Sequence, residues 1–532
     1  MKKTIFLLAA LMICMTLCLA ACGPIELSTK PLSKLNPDPI DDNNRVFYQI
    51  FVGSFSDSDG DGIGDIRGII NRMNYINDGD YTDGRSLGVQ GIWLSPIFTS
   101  PSYHKYDAID YYEVDSQFGT LDDLKELLDI CHKRNVKVIL DLAINHSSNQ
   151  NQWFKDFCSA RNSNNTSSPY YDFYTCYDRN DPEKPAKNTL SAVPGSSKWV
   201  YECNFSGDMP ELNYDNPAVR AEMLNVAKYW LDIGVDGFRF DAVKYIYYND
   251  NASSVDFWKW YMSELKKIKP DIYTVGECWD DDSVVLQYYE ALSCFNFTVG
   301  GANGRILDAI RSDNINAYTN YVANFLSSMK EQNSDGMFMP FLANHDMDRA
   351  AGYLLTSNGS AYIAANMYIL CAGSPVIYYG EEIGMKGSRG GDNTDANRRL
   401  AMLWGDKDTV QDPIGSTYDS SKQTNGTVKQ QLHKDNSLLE HYIKLIALRN
   451  KYPEIARGDY TALKINSSTV GGYSITYNNS TIGLFHNTSM YETIEIILPN
   501  GFTELADFIG LGKASVSNGV LSIGPNTSVI VR

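Results

Sequence analysis

Four short segments of the chain share one design, in which an apolar run ends in a cluster of polar or charged residues. They are DLAINH at 141–146, GFRFDAVKY at 237–245, VGECW at 275–279 and FLANHD at 341–346. Each is followed by a stretch with the residue pattern of a helix. Parallel strands of an eight-stranded barrel look like this when polar side chains stand at their C-terminal ends. The pattern therefore predicts an α/β fold in which these segments meet at one mouth of a barrel.

Eight segments in all are enriched in β-branched and aromatic residues, as buried strands are. Helix-like segments such as 121–135 and 217–234 lie between them, and this alternation predicts parallel strands. The chain of 532 residues is long enough for a (β/α)8 TIM barrel with one or two further domains. The predicted strands are 46–55, 88–97, 136–145, 235–243, 272–279, 291–297, 338–346 and 374–384.

Two regions depart from this alternation and predict additional domains. Residues 147–208 are rich in Asn, Ser, Tyr and Pro and are too long for a structureless loop, so they predict a small domain inserted after the third strand. From residue 454 the chain changes to short alternating runs separated by turn residues, which predicts a C-terminal antiparallel β-sandwich over 454–532. The barrel is then expected in two parts, 45–146 and 209–453.

The N-terminus has the form of an export signal. Two lysines precede an apolar stretch over 5–21, and the run LAAC at 19–22 ends it. This run resembles the lipobox of bacterial lipoproteins, in which the cysteine is lipidated and becomes the first mature residue. We therefore predict a signal peptide over 1–21, a lipidated Cys22 and a tether over 22–44. The protein would be exported and anchored in the cell envelope, at the cell surface or the periplasmic face. The alternative is ordinary cleavage beside an incidental cysteine.

The formal net charge of −18 argues against a nucleic-acid partner, because phosphate binding needs a basic face. Acidity of this size keeps an exported protein soluble, and we expect a monomer. Beyond the N-terminal signal, no segment of the sequence is long and apolar enough to span a bilayer, so the expected membrane contact is the lipid anchor.

Seven cysteines follow the predicted lipidation site, and this odd number excludes complete pairing. Cys131, Cys278 and Cys371 lie in apolar runs and are expected to be buried thiols. In the inserted region one disulfide could form among three cysteines: Cys158, Cys176 and Cys203.

Three carboxylates stand at the predicted strand ends, namely Asp241, Glu277 and Asp346. The four motifs, in this order and spacing, resemble those of the α-amylase family of glycoside hydrolases over roughly residues 45–455. The resemblance implies that Asp241 is the nucleophile of a retaining glycosidase and that Glu277 is its general acid and base. Asp346 would bind hydroxyls of the sugar at subsite −1. In this family the inserted region is the B domain and the β-sandwich is the C domain.

The same motifs imply roles for further residues at the barrel mouth. Arg239, two residues before Asp241, lies on the same strand face and is expected to lower the pKa of that carboxylate. His146 and His345 would donate hydrogen bonds to sugar hydroxyls, and Lys244 would also contact the substrate. The alternative is that these side chains are helix caps and structural ion pairs, which would be favoured for any one of them but not for the whole set.

SYHKYDAIDYY at 102–112 resembles the family segment that follows the second strand. It implies that Tyr106 stacks on the −1 sugar and that Asp107 pairs with a later arginine, as in exo-acting relatives. That arginine is Arg399, in RLAMLW at 399–404, which resembles RTPMQW of oligo-1,6-glucosidases but departs from it at three positions. Pairing of Asp107 with Arg399 would indicate exo action. The departures favour the other outcome, internal cleavage.

DSDGDGIGD at 57–65 alternates carboxylates around two glycines, and such a loop makes an oxygen cage for Ca²⁺. It resembles the calcium loop after the first barrel strand in the oligo-1,6-glucosidase branch of the family. A solvated acidic turn is the alternative. The resemblance implies one Ca²⁺ held by five ligands: Asp57, Asp59, Asp61, Asp65 and the Ile63 carbonyl.

Two features bear on the bond that is cleaved. MPELN at 209–213 is intermediate between the oligo-1,6-glucosidase and neopullulanase forms of the family's fifth motif, and Ala242 stands where α-1,6-specific relatives tend to carry Val. Both favour α-1,4 bonds of starch and maltooligosaccharides. The alternatives are an exo-acting oligo-α-glucosidase, a neopullulanase or transglycosylase, and a non-catalytic glycan-binding lipoprotein, which should have lost catalytic carboxylates.

Overall fold

The computed structural model describes residues 40–81, 84–182 and 189–532 of the protein. The predicted signal peptide, Cys22 and the tether up to residue 39 lie outside the described residues. Within these ranges, no helix combines the length and the apolar content that crossing a bilayer requires.

Strands and helices follow one another along the chain. The strands are β1 Phe47–Ile50, β2 Gly91–Leu94, β3 Phe98–Thr99, β4 Asp110–Val114, β5 Lys137–Leu142, β6 Cys176–Asp178, β7 Leu190–Ala192, β8 Trp199–Glu202, β9 Gly237–Phe240, β10 Tyr273–Gly276, β11 Phe295–Asn296, β12 Met339–Pro340, β13 Val376–Tyr378, β14 Asp459–Ala462, β15 Val470–Tyr477, β16 Ser480–Asn487, β17 Ile494–Ile497, β18 Leu505–Gly510, β19 Ala514–Ser517, β20 Val520–Ile523 and β21 Thr527–Val531. The α-helices are Ile66–Asn71, Met73–Ile76, Leu121–Lys133, Gln152–Asn162, Pro217–Ile233, Asn251–Ile268, Asp282–Tyr288, Arg305–Arg311, Ile315–Gln332, Ser360–Ile369, Val428–Gln431, Leu438–Lys451 and Pro453–Arg457. Short 3₁₀ turns lie at Val52–Ser54, Val243–Tyr245, Ala350–Gly352, Glu381–Ile383, Asp395–Arg398 and Ser420–Lys422.

Eight of these strands form a closed parallel barrel. Six pair side by side in the order β10-β9-β5-β2-β1-β13, and β11 pairs with β12. Two parallel bridges, Gly276 to Cys294 and Phe341 to Val376, join the two groups at both edges. The predicted (β/α)8 barrel is therefore confirmed, with the eight strands where the sequence predicted them. The strands are shorter than predicted because the apolar runs continue as buried loops at the barrel mouth.

Alternating side chains of the barrel strands belong to two separate cores. On β9, Phe238 and Phe240 point outward and pack in the large core between barrel and helices. Arg239, between them, must therefore point into the barrel. The inward-pointing apolar side chains of the other strands form a compact interior cluster: Phe47, Trp93, Ile139, Tyr273, Val275, Phe295, Met339, Phe341 and Val376.

Helix Leu121–Lys133 shows how the sequence builds the outer layer. Thr120 caps its N-terminus through a reciprocal pair of hydrogen bonds with Asp123. Its apolar residues recur every three or four positions, which puts them on one face. Each buried leucine contributes about 2 kcal/mol, so packing on the barrel, more than intrinsic propensity, stabilises the helix. The buried residues of that face are Leu124, Leu127, Leu128 and Cys131.

A small domain interrupts the barrel after its third strand, β5, as predicted. It contains helix Gln152–Asn162 and the antiparallel sheet β6-β8-β7. Bridges from His146 to Glu211 and from Tyr174 to Leu212 connect it to the returning chain. Its limits at 147 and 208 stay a prediction.

The seven cysteines of the described chain are all free thiols. The disulfide that the sequence left open in the inserted domain is therefore absent among these residues. Cys131, Cys278 and Cys371 are buried, as predicted.

Two antiparallel sheets make up the C-terminal part of the chain, in the orders β14-β15-β16-β21-β18 and β17-β20-β19. This is the predicted C-terminal β-sandwich. The larger sheet is attached to the barrel region, since Asn366 Nδ2 on helix Ser360–Ile369 donates to Ser528 Oγ at 3.0 Å. The sheets share a core of their own, which includes Val470, Phe485, Leu521, Ile523 and Val529.

Candidate active site

Arg239 lies at the centre of the barrel mouth, with a fully buried side chain. Its Nη1 is 2.7 Å from Asp141 Oδ1 and 2.7 Å from Asp241 Oδ1. Its Nη2 is 3.1 Å from Glu277 Oε2 but out of line for a hydrogen bond, so this third contact is purely electrostatic. Because β5, β9 and β10 are neighbours and Asp141 is directly opposite Arg239 in register, three carboxylates converge on one cation.

Burial controls the ionisation of Asp241 and Glu277. It raises the pKa of Asp241 to about 6 and the pKa of Glu277 to about 7, although Arg239 opposes both shifts. The sequence predicted that Arg239 lowers the pKa of Asp241, and the guanidinium does act in that direction. The net shift is nevertheless upward, because removal of the carboxyl from water outweighs the cation beside it. Carboxyls tuned in this way can be held one ionised and one protonated near neutral pH.

The backbone directly after Asp241 is bent into the left-handed region, where Ala242 has φ 51°. For a residue other than glycine this conformation costs about 1–2 kcal/mol. The bend directs the Ala242 amide to Glu277, whose Oε2 accepts its hydrogen bond at 3.2 Å. The strained turn therefore orients the Glu277 carboxyl beside Asp241.

Asp346 lies in the opposite electrostatic situation, with 31 % of its side chain exposed at the mouth. Burial of the rest would raise its pKa, but His345 Nε2 at 2.9 Å and Arg399 Nη2 at 2.7 Å hold that pKa well below its usual range. Arg399 also donates to the Tyr103 hydroxyl at 2.9 Å. Asp346 is therefore an ionised, acceptor-only group.

Tyr106 connects these two parts of the site. Its hydroxyl donates to Asp141 Oδ2 at 2.8 Å and lies 2.6 Å from His345 Nε2, and its ring stacks on His345 at 5.5 Å. Burial lowers the pKa of His146 to about 4, so its neutral ring donates from Nε2 to the Tyr106 carbonyl at 3.2 Å. The structure thus brings Tyr106, His146 and His345 together, while their contacts with a sugar stay predictions.

The pair between Asp107 and Arg399 does not form. Asp107 Oδ1 accepts hydrogen bonds from the hydroxyls of Ser100 and Ser102. Arg399 binds Asp346 instead, with Nη2 2.7 Å from Oδ1, and the charges of both groups strengthen this hydrogen bond.

Lys244 lies beside the site and contacts the loop after Glu277. Its Nζ is 2.6 Å from Asp280 Oδ2 and 2.9 Å from the Trp279 carbonyl oxygen. These contacts fix the loop that follows Glu277, the predicted acid. Direct contact between Lys244 and the substrate stays a prediction.

Three residues of the site were not among those predicted: Asp141, Gln49 and Tyr103. Asp141 opens the first of the four motifs, so the rule that selected the other strand-end carboxylates could have found it. Gln49 Nε2 is 2.7 Å from His345 Nδ1, deep in the barrel. Gln49 lies in the first predicted strand without a signal of its own. Tyr103 lies in the singled-out segment 102–112, three residues before Tyr106, so that segment could have drawn attention to it.

Only three of the four predicted carboxylate ligands in the acidic loop 57–65 lie together. Oxygen atoms of Asp57, Asp59 and Asp61 lie within 4.8 Å of one another, with Asp57 buried and the other two exposed. Oxygen donors of this kind suit Ca²⁺. Asp65 does not join this group, because its carboxylate accepts from the amides of Ser58 and Gly68 and caps helix Ile66–Asn71.

Comparison with known proteins agrees with this geometry. The family model described as "Alpha amylase, catalytic domain" matches residues 49–458. Alpha-amylase 3 of Dictyoglomus thermophilum is 34% identical over 498 residues, which cover 92% of this chain and 93% of that protein. An oligo-1,6-glucosidase of Parageobacillus thermoglucosidasius is 29% identical over 551 residues, with 86% and 94% covered. The solved structure of Eubacterium rectale Amy13B is 34% identical, with a TM-score of 0.86 and with 95% of this chain and 99% of that chain covered. The chain therefore belongs to the α-amylase family of glycoside hydrolases.

Proposed function

We propose that the protein is an endo-acting, retaining hydrolase of α-1,4-glucosidic bonds in starch and maltooligosaccharides. The observation that carries this proposal is the convergence of Asp241 and Glu277 on the buried guanidinium of Arg239, with both pKa values raised by burial. A retaining glycosidase needs an ionised nucleophile and a protonated acid on either side of the scissile bond. Asp241 and Glu277 supply the ionised nucleophile and the protonated acid near neutral pH.

In the first step Asp241 attacks the anomeric carbon while Glu277 gives its proton to the leaving glycosidic oxygen, which forms a covalent glycosyl-enzyme. In the second step Glu277 takes a proton from water, the water oxygen bonds to the anomeric carbon and the bond to Asp241 breaks. Asp346 stays ionised through Arg399 and His345, so it accepts from hydroxyls of the −1 sugar and favours positive charge developing on the ring.

Two observations support internal cleavage of α-1,4 bonds. Arg399 binds Asp346 instead of Asp107, so the pair that would close the non-reducing end of the site is not made. The small side chain of Ala242 leaves room beside the nucleophile for a 4-linked leaving sugar. The exo-acting alternative has the similarity to an oligo-1,6-glucosidase in its favour. A non-catalytic glycan-binding role has no such support, because all three carboxylates are in place.

Substitution Asp241→Asn should lower turnover of maltooligosaccharides by about 10³-fold or more, because the amide cannot form the glycosyl-enzyme. The matched control is Asp271→Asn, which changes an exposed carboxylate at the opposite end of β10 and should leave turnover unchanged. Initial rates and melting curves of both variants test the assignment. Retention of more than a few per cent of activity by a folded Asp241→Asn protein would contradict it.

The pH profile of kcat/KM should be a narrow bell. The rate should fall on the acid side as Asp241, with its pKa raised to about 6, becomes protonated, and on the alkaline side as Glu277, with its pKa raised to about 7, loses its proton. The two apparent values belong to the coupled pair. A profile that stays flat on the alkaline side would exclude Glu277 as the acid.

Product analysis tests linkage and mode of attack. We expect maltotriose and end-blocked maltooligosaccharides to be cleaved far faster than isomaltose, with the α-configuration retained in the products. A time course on amylose, followed by chromatography and by NMR of the new reducing ends, measures both. Faster turnover of isomaltose than of maltotriose would overturn the linkage, and glucose as the sole early product from amylose would overturn internal cleavage.

Asp57, Asp59 and Asp61 are the proposed ligands of one Ca²⁺, together with the Ile63 carbonyl, and the ion would act on stability. The loop packs on a distant segment, since Thr409 donates to Asp57 Oδ2 at 2.7 Å and Asp408 Oδ1 accepts from the Asp57 amide at 3.2 Å. An ion that binds only the folded loop raises the free energy of unfolding by mass action.

Removal of calcium with EDTA should therefore lower the melting temperature, and Asp61→Ala should abolish most of that difference. Asp122→Ala, which removes an exposed carboxylate far from this loop in the sequence, should leave the effect of EDTA on the melting temperature unchanged. Differential scanning calorimetry with elemental analysis measures the effect. A metal-free protein whose melting curve ignores EDTA would refute the calcium site.

Export and anchoring through a lipidated Cys22 complete the proposal, and the LAAC run at 19–22 supports them. Two acyl chains hold a protein stably at a membrane, whereas one does so only weakly. Mass spectrometry of the mature N-terminus should find a diacylated Cys22, and Cys22→Ser should release the protein or block processing. An unmodified N-terminus beyond residue 22 would contradict this.

A further inference from the structure

The turn that carries Asp346 is bound by two arginines that are adjacent in the sequence. Arg399 Nε donates to the His345 carbonyl at 3.1 Å, and Arg398 Nη1 donates to the Asp346 carbonyl at 2.8 Å. Two neighbouring side chains thus bind two neighbouring carbonyls of one turn. Arg399 also pairs with the Asp346 carboxylate, whereas the bond from Arg398 goes to the backbone of that residue.

The guanidinium of Arg398 is held by two carboxylates. Its Nε is 2.7 Å from Asp348 Oδ1, on the loop after β12, and its Nη1 is 2.9 Å from Asp395 Oδ1, on its own 3₁₀ turn. A guanidinium is planar and its donors point in fixed directions, so two carboxylates fix its orientation. The Nη1 group has two N–H donors, one for Asp395 and one for the Asp346 carbonyl. It is therefore directed at that carbonyl before substrate binds.

The backbone around Arg398 is attached to buried side chains. The Arg398 carbonyl accepts from Arg349 Nε at 2.9 Å and from the Tyr378 hydroxyl at 3.1 Å. The Leu400 carbonyl accepts from the Tyr379 hydroxyl at 2.6 Å. All three donors are buried. The backbone is thus held on both sides of the second arginine, and both guanidinium groups extend from a fixed segment.

The ion pairs of Arg398 suit positioning better than stabilisation of the fold. The side chains of Arg398, Asp348 and Asp395 are 16 %, 42 % and 32 % exposed. Water competes for ion pairs that are exposed to this degree, so their net contribution to stability is small. Their effect on geometry is different, because a displacement of about 1 Å at a group that meets the substrate can lower a rate about 10²-fold.

We propose that Arg398 is a positioning residue for the glycosidase reaction, which fixes the backbone of Asp346 so that its carboxylate meets the −1 sugar in the geometry of the transition state. This inference rests on the proposed function, because it assigns a role in the same reaction. Arg399 pairs with the carboxylate, and Arg398 determines where the turn that carries it lies. Loss of Arg398 lets the turn move and weakens a contact that is strongest in the transition state.

The test measures hydrolysis of maltotriose and inhibition by acarbose, whose unsaturated ring is flattened like the reacting −1 sugar. Arg398→Met should lower kcat about tenfold to hundredfold and change KM by less than about threefold, because the lost contact belongs to the transition state. The inhibition constant of acarbose should rise by a similar factor. A loss of folded protein alone would lower kcat and leave that constant unchanged.

Two milder variants keep the test decisive if Arg398→Met does not fold. Arg398→Lys keeps a cation that can reach the Asp346 carbonyl but lacks the guanidinium fork, so kcat should stay within about fivefold of that of the unchanged protein. Asp348→Asn removes one of the two charges that orient Arg398. It should lower kcat about twofold to fivefold, with a matching rise of the acarbose constant.

The matched control is Arg389→Met. Arg389 belongs to the same group of charges, but the ion pair of its side chain goes to Asp395, with Nε 3.1 Å from Oδ1. This variant should leave kcat and the acarbose constant within about twofold of their original values. An unchanged acarbose constant in the Arg398 and Asp348 variants, or equal losses in Arg389→Met and Arg398→Met, would overturn the positioning role while the proposed function stands. Failure of the unchanged protein to hydrolyse maltotriose would overturn both.

Discussion

One buried cation, the guanidinium of Arg239, offsets the negative charge of three carboxylates at the mouth of the barrel. Removing one partner of a buried ion pair typically costs about 3–5 kcal/mol, because the remaining charge has no counterion. Without Arg239, the side chains of Asp141, Asp241 and Glu277 would repel one another and take up protons. The cation therefore allows carboxylates to occupy a site that is dry enough to raise their pKa values, and the proposed chemistry depends on that balance.

The position of this cation follows from strand geometry. Arg239 alternates with two outward phenylalanines on β9, so it points into the barrel just above the interior apolar cluster. The register of β9 with β5 sets Asp141 opposite to it, and the register with β10 brings Glu277 within 3.1 Å. A slip of one residue in either pairing would place the wrong side chains inside, so the same ladders that close the barrel assemble the site.

Asp346 shows how the surroundings of a carboxyl group set its ionisation state. Arg399 and His345 hold it ionised, whereas the nearby Asp241 and Glu277 have raised pKa values. The segment that carries Arg399 is itself attached to the acidic loop, since the Gln411 amide donates to the Gly62 carbonyl at 2.9 Å. Stability of that loop therefore supports the segment that carries Arg399, the partner of Asp346.

The sequence by itself determined the eight barrel strands, the inserted domain and the C-terminal β-sandwich, because runs of β-branched residues and turn residues are local signals. It also determined which strand-end residues meet, since the C-terminal ends of parallel strands share one mouth. Only the tertiary structure decided that burial outweighs Arg239 at Asp241, that Arg399 binds Asp346 and that Asp65 caps a helix. Each of these depends on the depth of burial and on competition between groups far apart in the chain, and those quantities exist only once the chain is folded.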